Sequence, residues 1–134
     1  MSATVKYFNY GVPWEGLFGF SQAMQVGETV YISGQLAHDD EGNFIGEGDF
    51  DAQIAATLEN LDKVLKHFGA SRRQVVETTV LVVGLRDHFD AAAAAHSRFF
   101  GDHHPTSTVS GVVALALPVQ LVEIGALVRL DIDV

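Results

Sequence analysis

The chain has 134 residues, 48% of them hydrophobic, which is one domain's length with enough apolar side chain for a core. It has no cysteine, which excludes disulfides, thiolate zinc sites and cysteine nucleophiles. Its net charge of −9 and scattered Lys and Arg argue against a nucleic-acid backbone as partner.

The N-terminal residues show no basic cluster followed by a long apolar stretch. The longest apolar run, Val112 to Val119, falls far short of the roughly 20 residues a membrane span needs. The expectation is a cytoplasmic protein with no membrane partner, forming a single domain over residues 1–134.

Residues 4–8 and 18–26 are expected to be short strands. Residues 29–34 alternate and carry β-branched side chains, which predicts a strand. Residues 38–49 are rich in Gly, Asp and Asn and read as loop. Ile54, Leu58, Leu61, Leu65 and Phe68 then recur at helical spacing, with Glu59, Lys63 and Lys66 on the wet face. Asp49 or Asp51 can cap that helix, and Gly69 can end it.

Residues 75–84 form a β-branched strand, apolar on both faces. A second helix is expected from about Asp87 to Phe100, its five alanines at 91–95 being strong helix formers. Its stripe is Phe89, Ala93, His96 and Phe100, flanked by Ala92 and Phe99. Residues 107–116 and 120–133 are the last strands. On the final one, Val122, Ile124, Ala126, Val128, Leu130 and Ile132 share a face. The other face carries Leu121, Glu123, Gly125, Leu127, Arg129 and Asp131.

The resulting order is β-β-β-α-β-α-β-β. Two helices cover only one face of such a sheet. The other face is apolar in places, at Leu121, Leu127 and one side of 75–84, so it is expected to be buried against another copy of the chain.

Three segments carry a resemblance. These are GFSQAMQVGETVYISGQL (19–36), VVETTVLVVGLRDH (75–88) followed by a helix ending in Phe-Phe-Gly, and PTSTVSGVVAL with LVEIGALV in the C-terminal quarter. In this order they resemble the Rid family of reactive intermediate deaminases, also called YjgF-like proteins. The resemblance runs from about residue 13 to 130. It implies an α+β, chorismate-mutase-like fold: a mixed six-stranded sheet with two helices on one face. It implies a homotrimer with the sheets facing inward as a barrel and three clefts between subunits. It also implies hydrolysis of imines or enamines without metal or cofactor.

Carried over residue by residue, the resemblance makes Ser33 and Gly34 the Ser-Gly that lines the cleft. Glu123 becomes the glutamate that positions or activates water. Phe20 stands where tyrosine is usual. Ser107 stands where the deaminase branch has the arginine that grips a substrate carboxylate, and Ala93 and His96 stand where asparagine and tyrosine are common on the second helix. A guanidinium offers a carboxylate two parallel charged hydrogen bonds, whereas serine offers one neutral donor. The chain therefore resembles the arginine-lacking branches, and its substrate is expected not to be a standard 2-iminoacid.

Each candidate has a plain structural alternative. Glu123 is either a general base in a cleft, with its pKa raised by desolvation, or a carboxylate paired with Arg129 or a neighbour. His96 is either a proton-transfer group or a satisfied core histidine. Ser33 either contacts substrate or satisfies a backbone group. Ser107 and Thr108 are expected on the cleft floor. Trp14, with Glu15, either walls the pocket or packs an N-terminal arm onto the body. His103 and His104 are not expected to bind metal, because adjacent loop histidines rarely converge on one ion. No serine elbow or phosphate loop is present. The functional alternatives to a hydrolase are a non-catalytic trimer that binds a small ligand and an accessory enzyme that steers a reactive biosynthetic intermediate.

Overall fold

Alternation along the chain builds one six-stranded sheet. In the computed structural model, which describes residues 4–134, the strands are β1 (Val5–Phe8), β2 (Ala23–Val26), β3 (Thr29–Gln35), β4 (Val75–Val83), β5 (Thr106–Val112) and β6 (Val122–Arg129). They pair in the order β1-β2-β3-β6-β4-β5. Among the described strands only β4 and β5 pair in parallel. Parallel neighbours need a long crossover, and α3 (Leu85–Phe100) supplies it.

The helix α2 (Phe50–His67) starts at Asp49, not Asp51: the Asp49 carboxylate accepts from the Ala52 amide at 3.0 Å. Gly69, at φ +66°, lets the chain leave the helix as expected. Ile54, Leu58, Leu61 and Leu65 are buried, and Leu61, Val64 and Leu65 pack on Val30, Val80, Val82, Val122, Ile124 and Val128 of the sheet. Each such side chain stabilises the fold by about 1.5–3 kcal/mol.

The same helix holds two loops through buried amides. Gln53 donates to the carbonyls of Gly46 and Val119. Asn60 donates to those of Leu36 and His38. The sheet ends that carry the site are thereby tied to the core.

Several expected boundaries shift. Residues 13–18 form a short helix, α1 (Pro13–Phe18), and the strand expected over 18–26 is confined to β2. The cause is local. The buried Glu15 carboxylate accepts from the amides of Tyr10, Gly11 and Val12 and from the Gln22 side chain, and Gly19 at φ +82° ends the turn. Six residues are too few for periodicity to register. The last strand stops at Arg129, and β5 stops at Val112. Beyond the former, Gln74 binds the carbonyls of Leu130 and Ile132 in place of a strand partner.

The stripe expected on α3 also turns. Ala92, Ala95 and Phe100 are buried against the core, whereas Phe89 and Ala93 are exposed and look toward β5. The small Ala92 and Ala95 thus share the core-facing positions with Phe100, and Phe89 is left outside the core.

The helices α2 and α3 cover one sheet face. On the other, Tyr7, Met24, Tyr31 and Leu127 stand in one cross-strand row. Tyr7 and Tyr31 are 61% and 49% exposed. Among the described residues no helix is long and apolar enough to cross a membrane.

Candidate functional site

The site begins with an irregularity in the sheet. Ile32 pairs with Ala126 and Gln35 with Ile124, so Ser33 and Gly34 together face the single residue Gly125. Such a bulge bends its strand and re-aims side chains. Here it leaves both Ile32 and Gln35 buried on the helix side and puts Ser33 and Gly34 at a cavity.

Glu123 fills the space the bulge opens. A Cβ built on Gly34 would overlap the Glu123 carboxyl group, so only glycine fits beneath it. Gly125 is tight for a different reason: its Cβ position lies 3.3 Å from the Ile32 backbone carbonyl, which would have to give by a few tenths of an ångström. The ion pairs among the described residues are Lys63–Asp40, Arg72–Asp62, Arg73–Asp102 and Arg129–Asp131. Arg129 also donates to Thr29. Glu123 is therefore not the partner of Arg129. Burial raises its pKa, and the nearby Gln120 side chain offsets part of that rise.

The cavity holding Glu123 measures about 470 Å³. Trp14, Phe18 and Phe20 form aromatic walls, with Leu36 and Leu117 beside them. No Lys or Arg lines it. Ser33 lines it too, but its hydroxyl proton is directed to the Ser21 carbonyl at 2.7 Å. Toward a ligand, Ser33 therefore presents lone pairs. Beneath the floor, Tyr10 donates to Gln35, Gln35 to Gln22, and Gln22 to Glu15. This chain fixes β3 against α1. Burial, then Glu15 and Asp40, push the Tyr10 phenol well above its ordinary value, so it stays protonated as a donor.

His96 and Ser107 lie elsewhere. They line a second cavity, of about 310 Å³, between α3 and β5, with Phe89, Ala93, His103 and His104. The two cavities share no lining residue. The buried Thr78 links the pair: its hydroxyl donates to Ser107 Oγ at 2.7 Å and lies 2.9 Å from His96 Nε2. Thr78 has one proton, so with that donation Nε2 carries the hydrogen toward Thr78. Burial lowers the His96 pKa, which keeps the ring neutral near pH 7. Thr108 lines neither cavity. It follows Ser107 on β5 and points to the opposite, exposed sheet face.

His103 donates to the Val75 carbonyl at 2.7 Å. Among the described residues no three His, Asp or Glu side chains converge as metal ligands do.

Sequence reasoning missed Thr78, Gln22 and His38. His38 lines the Glu123 cavity, and its ring meets Trp14 edge-to-face at 5.4 Å. Its place three residues after Ser-Gly-Gln, where the chain leaves the bulged strand, was the available signal.

The family model described as endoribonuclease L-PSP matches residues 15–130. A RutC family protein of Pyrococcus abyssi is 33% identical over 108 residues, covering 81% of this chain and 84% of its own. The 2-iminobutanoate/2-iminopropanoate deaminase of Homo sapiens is 31% identical over 96 residues, covering 72% of this chain and 69% of its own. Among solved structures, a YjgF/YER057c/UK114 family member from Mycobacterium tuberculosis superposes with a TM-score of 0.83 at 26% identity, covering 94% of this chain and 99% of that one.

Proposed function

From a chain that belongs to the endoribonuclease L-PSP family, the Rid or YjgF-like family of its sequence motifs, we propose a cofactor-independent hydrolase that acts on a small imine or enamine at Glu123. The observation that carries this reading is the partly desolvated Glu123 carboxyl group, in none of the described ion pairs and seated on Gly34 in an aromatic-walled cavity.

The reaction needs one base that can return its proton. Glu123 takes a proton from water as the oxygen adds to the carbon of the C=N bond, and passes that proton to the nitrogen to give a carbinolamine. The regenerated carboxylate then takes the carbinolamine hydroxyl proton and delivers it to the nitrogen, so that C=O forms as the C–N bond breaks and ammonia leaves. The balance is one imine and one water in, one carbonyl compound and one ammonia out. A raised carboxyl pKa suits both halves of this cycle.

The relatives include a 2-iminobutanoate/2-iminopropanoate deaminase, but neither cavity here is lined by Lys or Arg. Ser107 occupies the expected arginine position and is hydrogen-bonded to Thr78. This supports a substrate without a carboxylate at that place. A phosphodiester would meet the same shortage of cations, in a chain of net charge −9.

A homotrimer belongs to the same reading. The exposed row at Tyr7 and Tyr31 supports burial of the second sheet face. Two partial cavities support a cleft in which the Glu123 side of one subunit meets the His96–Ser107 side of the next. His96 would then assist proton transfer to the departing nitrogen. We place the reaction in the cytoplasm.

Ammonia release from freshly generated imines, with and without a carboxylate, tests the reading. Glu123→Gln is expected to lower turnover about 100-fold or more. If parent and variant both match buffer for every imine, the hydrolase reading fails. The aromatic walls then favour the second reading, a trimer that binds a small apolar ligand without turning it over.

A further inference from the structure

His38 is an unusual group to find in an aromatic-walled pocket. It is 4% exposed, yet it lines the cavity that contains Glu123. Its Nδ1 lies 2.8 Å from the Asp39 carbonyl. A carbonyl only accepts, so Nδ1 carries the hydrogen, and the acceptor of that tautomer is Nε2.

That acceptor has no protein partner among the described hydrogen bonds. Among buried side-chain polar atoms of the described residues, only Thr57 Oγ1 is both sealed from solvent and unpartnered. Nε2 is not among those sealed atoms, and His38, itself almost wholly enclosed, lines the cavity. The ring is also held firmly. Tyr10 and Trp14 meet it edge-to-face at 4.9 and 5.4 Å, and Asn60 binds the His38 carbonyl at 3.1 Å. A buried acceptor held in one orientation by its neighbours is a specificity device, because leaving it unpaired has an energetic cost.

We infer that His38 Nε2 accepts a hydrogen bond from the bound molecule, so that this cavity selects flat, largely apolar, uncharged compounds bearing an N–H or O–H group. The inference rests on the reading of the Glu123 cavity as the ligand pocket. It adds a second polar contact and a substrate class. An unsubstituted imine or enamine nitrogen, or a ring N–H, meets the requirement. An N-alkylated analogue of the same shape does not. Trp14, Phe18 and Phe20 accept the flat body, and the lack of Lys or Arg removes any reward for an anion.

Two variants separate the two ends of the ring. His38→Asn can keep the donor to the Asp39 carbonyl while deleting the acceptor at Nε2. His38→Gln can place an acceptor where Nε2 stands. Pyrrole and N-methylpyrrole serve as probes, since they differ only in the N–H and neither absorbs where tryptophan does. Trp14 is the only tryptophan and lines this cavity, so its fluorescence reports binding there.

The measured quantity is the ratio of the two dissociation constants. His38→Asn is expected to shift it about fivefold toward N-methylpyrrole relative to the parent, as for the loss of one hydrogen bond. His38→Gln is expected to retain most of the parent ratio. Long-range ¹H–¹⁵N spectra of the parent should show His38 as the Nδ1–H tautomer, with Nε2 shifting on addition of pyrrole and not of N-methylpyrrole. An unchanged ratio in a folded His38→Asn protein overturns the inference, and so does an Nε2–H tautomer in the parent. Neither readout involves turnover, so loss of the hydrolase reading would leave this test standing, and failure here would leave ammonia release at Glu123 untouched.

Discussion

The Glu123 carboxyl group rests on Gly34, in space that any β-carbon at position 34 would occupy. Ser33 and Gly34 oppose Gly125 alone, so the backbone bends away at the point where the carboxylate needs room. Gly34→Ala is expected to force the Glu123 side chain out of its seat. Its kcat for imine hydrolysis should fall by about as much as that of Glu123→Gln, roughly 100-fold. Stability should change by no more than about 1–3 kcal/mol, the usual range for overpacking. Steady-state kinetics with thermal unfolding on the same samples checks both, and parent-like kinetics would remove Gly34 from the site.

The pH dependence follows from burial. Glu123 is raised above the ordinary glutamate value of 4.5. Acting as a base, it should give a rate that climbs through an inflection above 4.5, and Glu123→Gln should lack that limb. For stability, the native state holds the Glu123 proton to higher pH than the unfolded chain does. Its contribution is therefore most favourable below the unfolded pKa and declines as pH rises through the folded one. His96 is lowered, so it contributes in the opposite sense: stability is present above the unfolded histidine pKa and is lost as pH falls through the lower folded value. Denaturant titrations across pH 4 to 8 on the parent, Glu123→Gln and His96→Gln separate the two slopes.

Ser107 tests why this chain should avoid 2-iminoacids. Ser107→Arg places a guanidinium in the cavity beside His96. Charged hydrogen bonds are worth about 1.5–3 kcal/mol each, so kcat/KM for a 2-imino acid should rise about tenfold or more relative to a carboxylate-free imine. That gain requires the Ser107 cavity of one subunit to face the Glu123 cavity of another. No gain in a folded trimer would argue against the composite cleft.

The uncovered sheet face makes the assembly testable. Sedimentation should give three times the 14.5 kDa chain mass. Tyr31→Glu puts a charge in the row of Tyr7, Met24, Tyr31 and Leu127, and should shift the species toward monomer with loss of turnover. A parent that sediments as a monomer would refute the inward-facing sheet.

Much of this was legible in the residues. The helical spacing of Ile54, Leu58, Leu61 and Leu65, the β-branched run at 75–83 and the alternation from Val122 to Val128 report burial directly, because a side chain's face follows from its period. The motifs singled out Ser33, Gly34 and Glu123, and the fold brings these together with Phe20 and Trp14. Helix α1 was not legible, since it depends on one carboxylate gathering three amides. The α3 stripe was visible as a pattern, but its destination was not, because spacing names a face and not what the face meets.

Local periodicity and composition therefore determined the layers of this protein, its longer elements and the absence of cysteine chemistry. Only the tertiary structure decided that Ser33 spends its proton on Ser21, that Thr78 joins His96 to Ser107 in a cavity apart from Glu123, and that His38 shares the Glu123 pocket. Those facts depend on strand register and on one two-for-one bulge. Register is set by contacts between residues as far apart as Ile32 and Ala126, which no local pattern encodes.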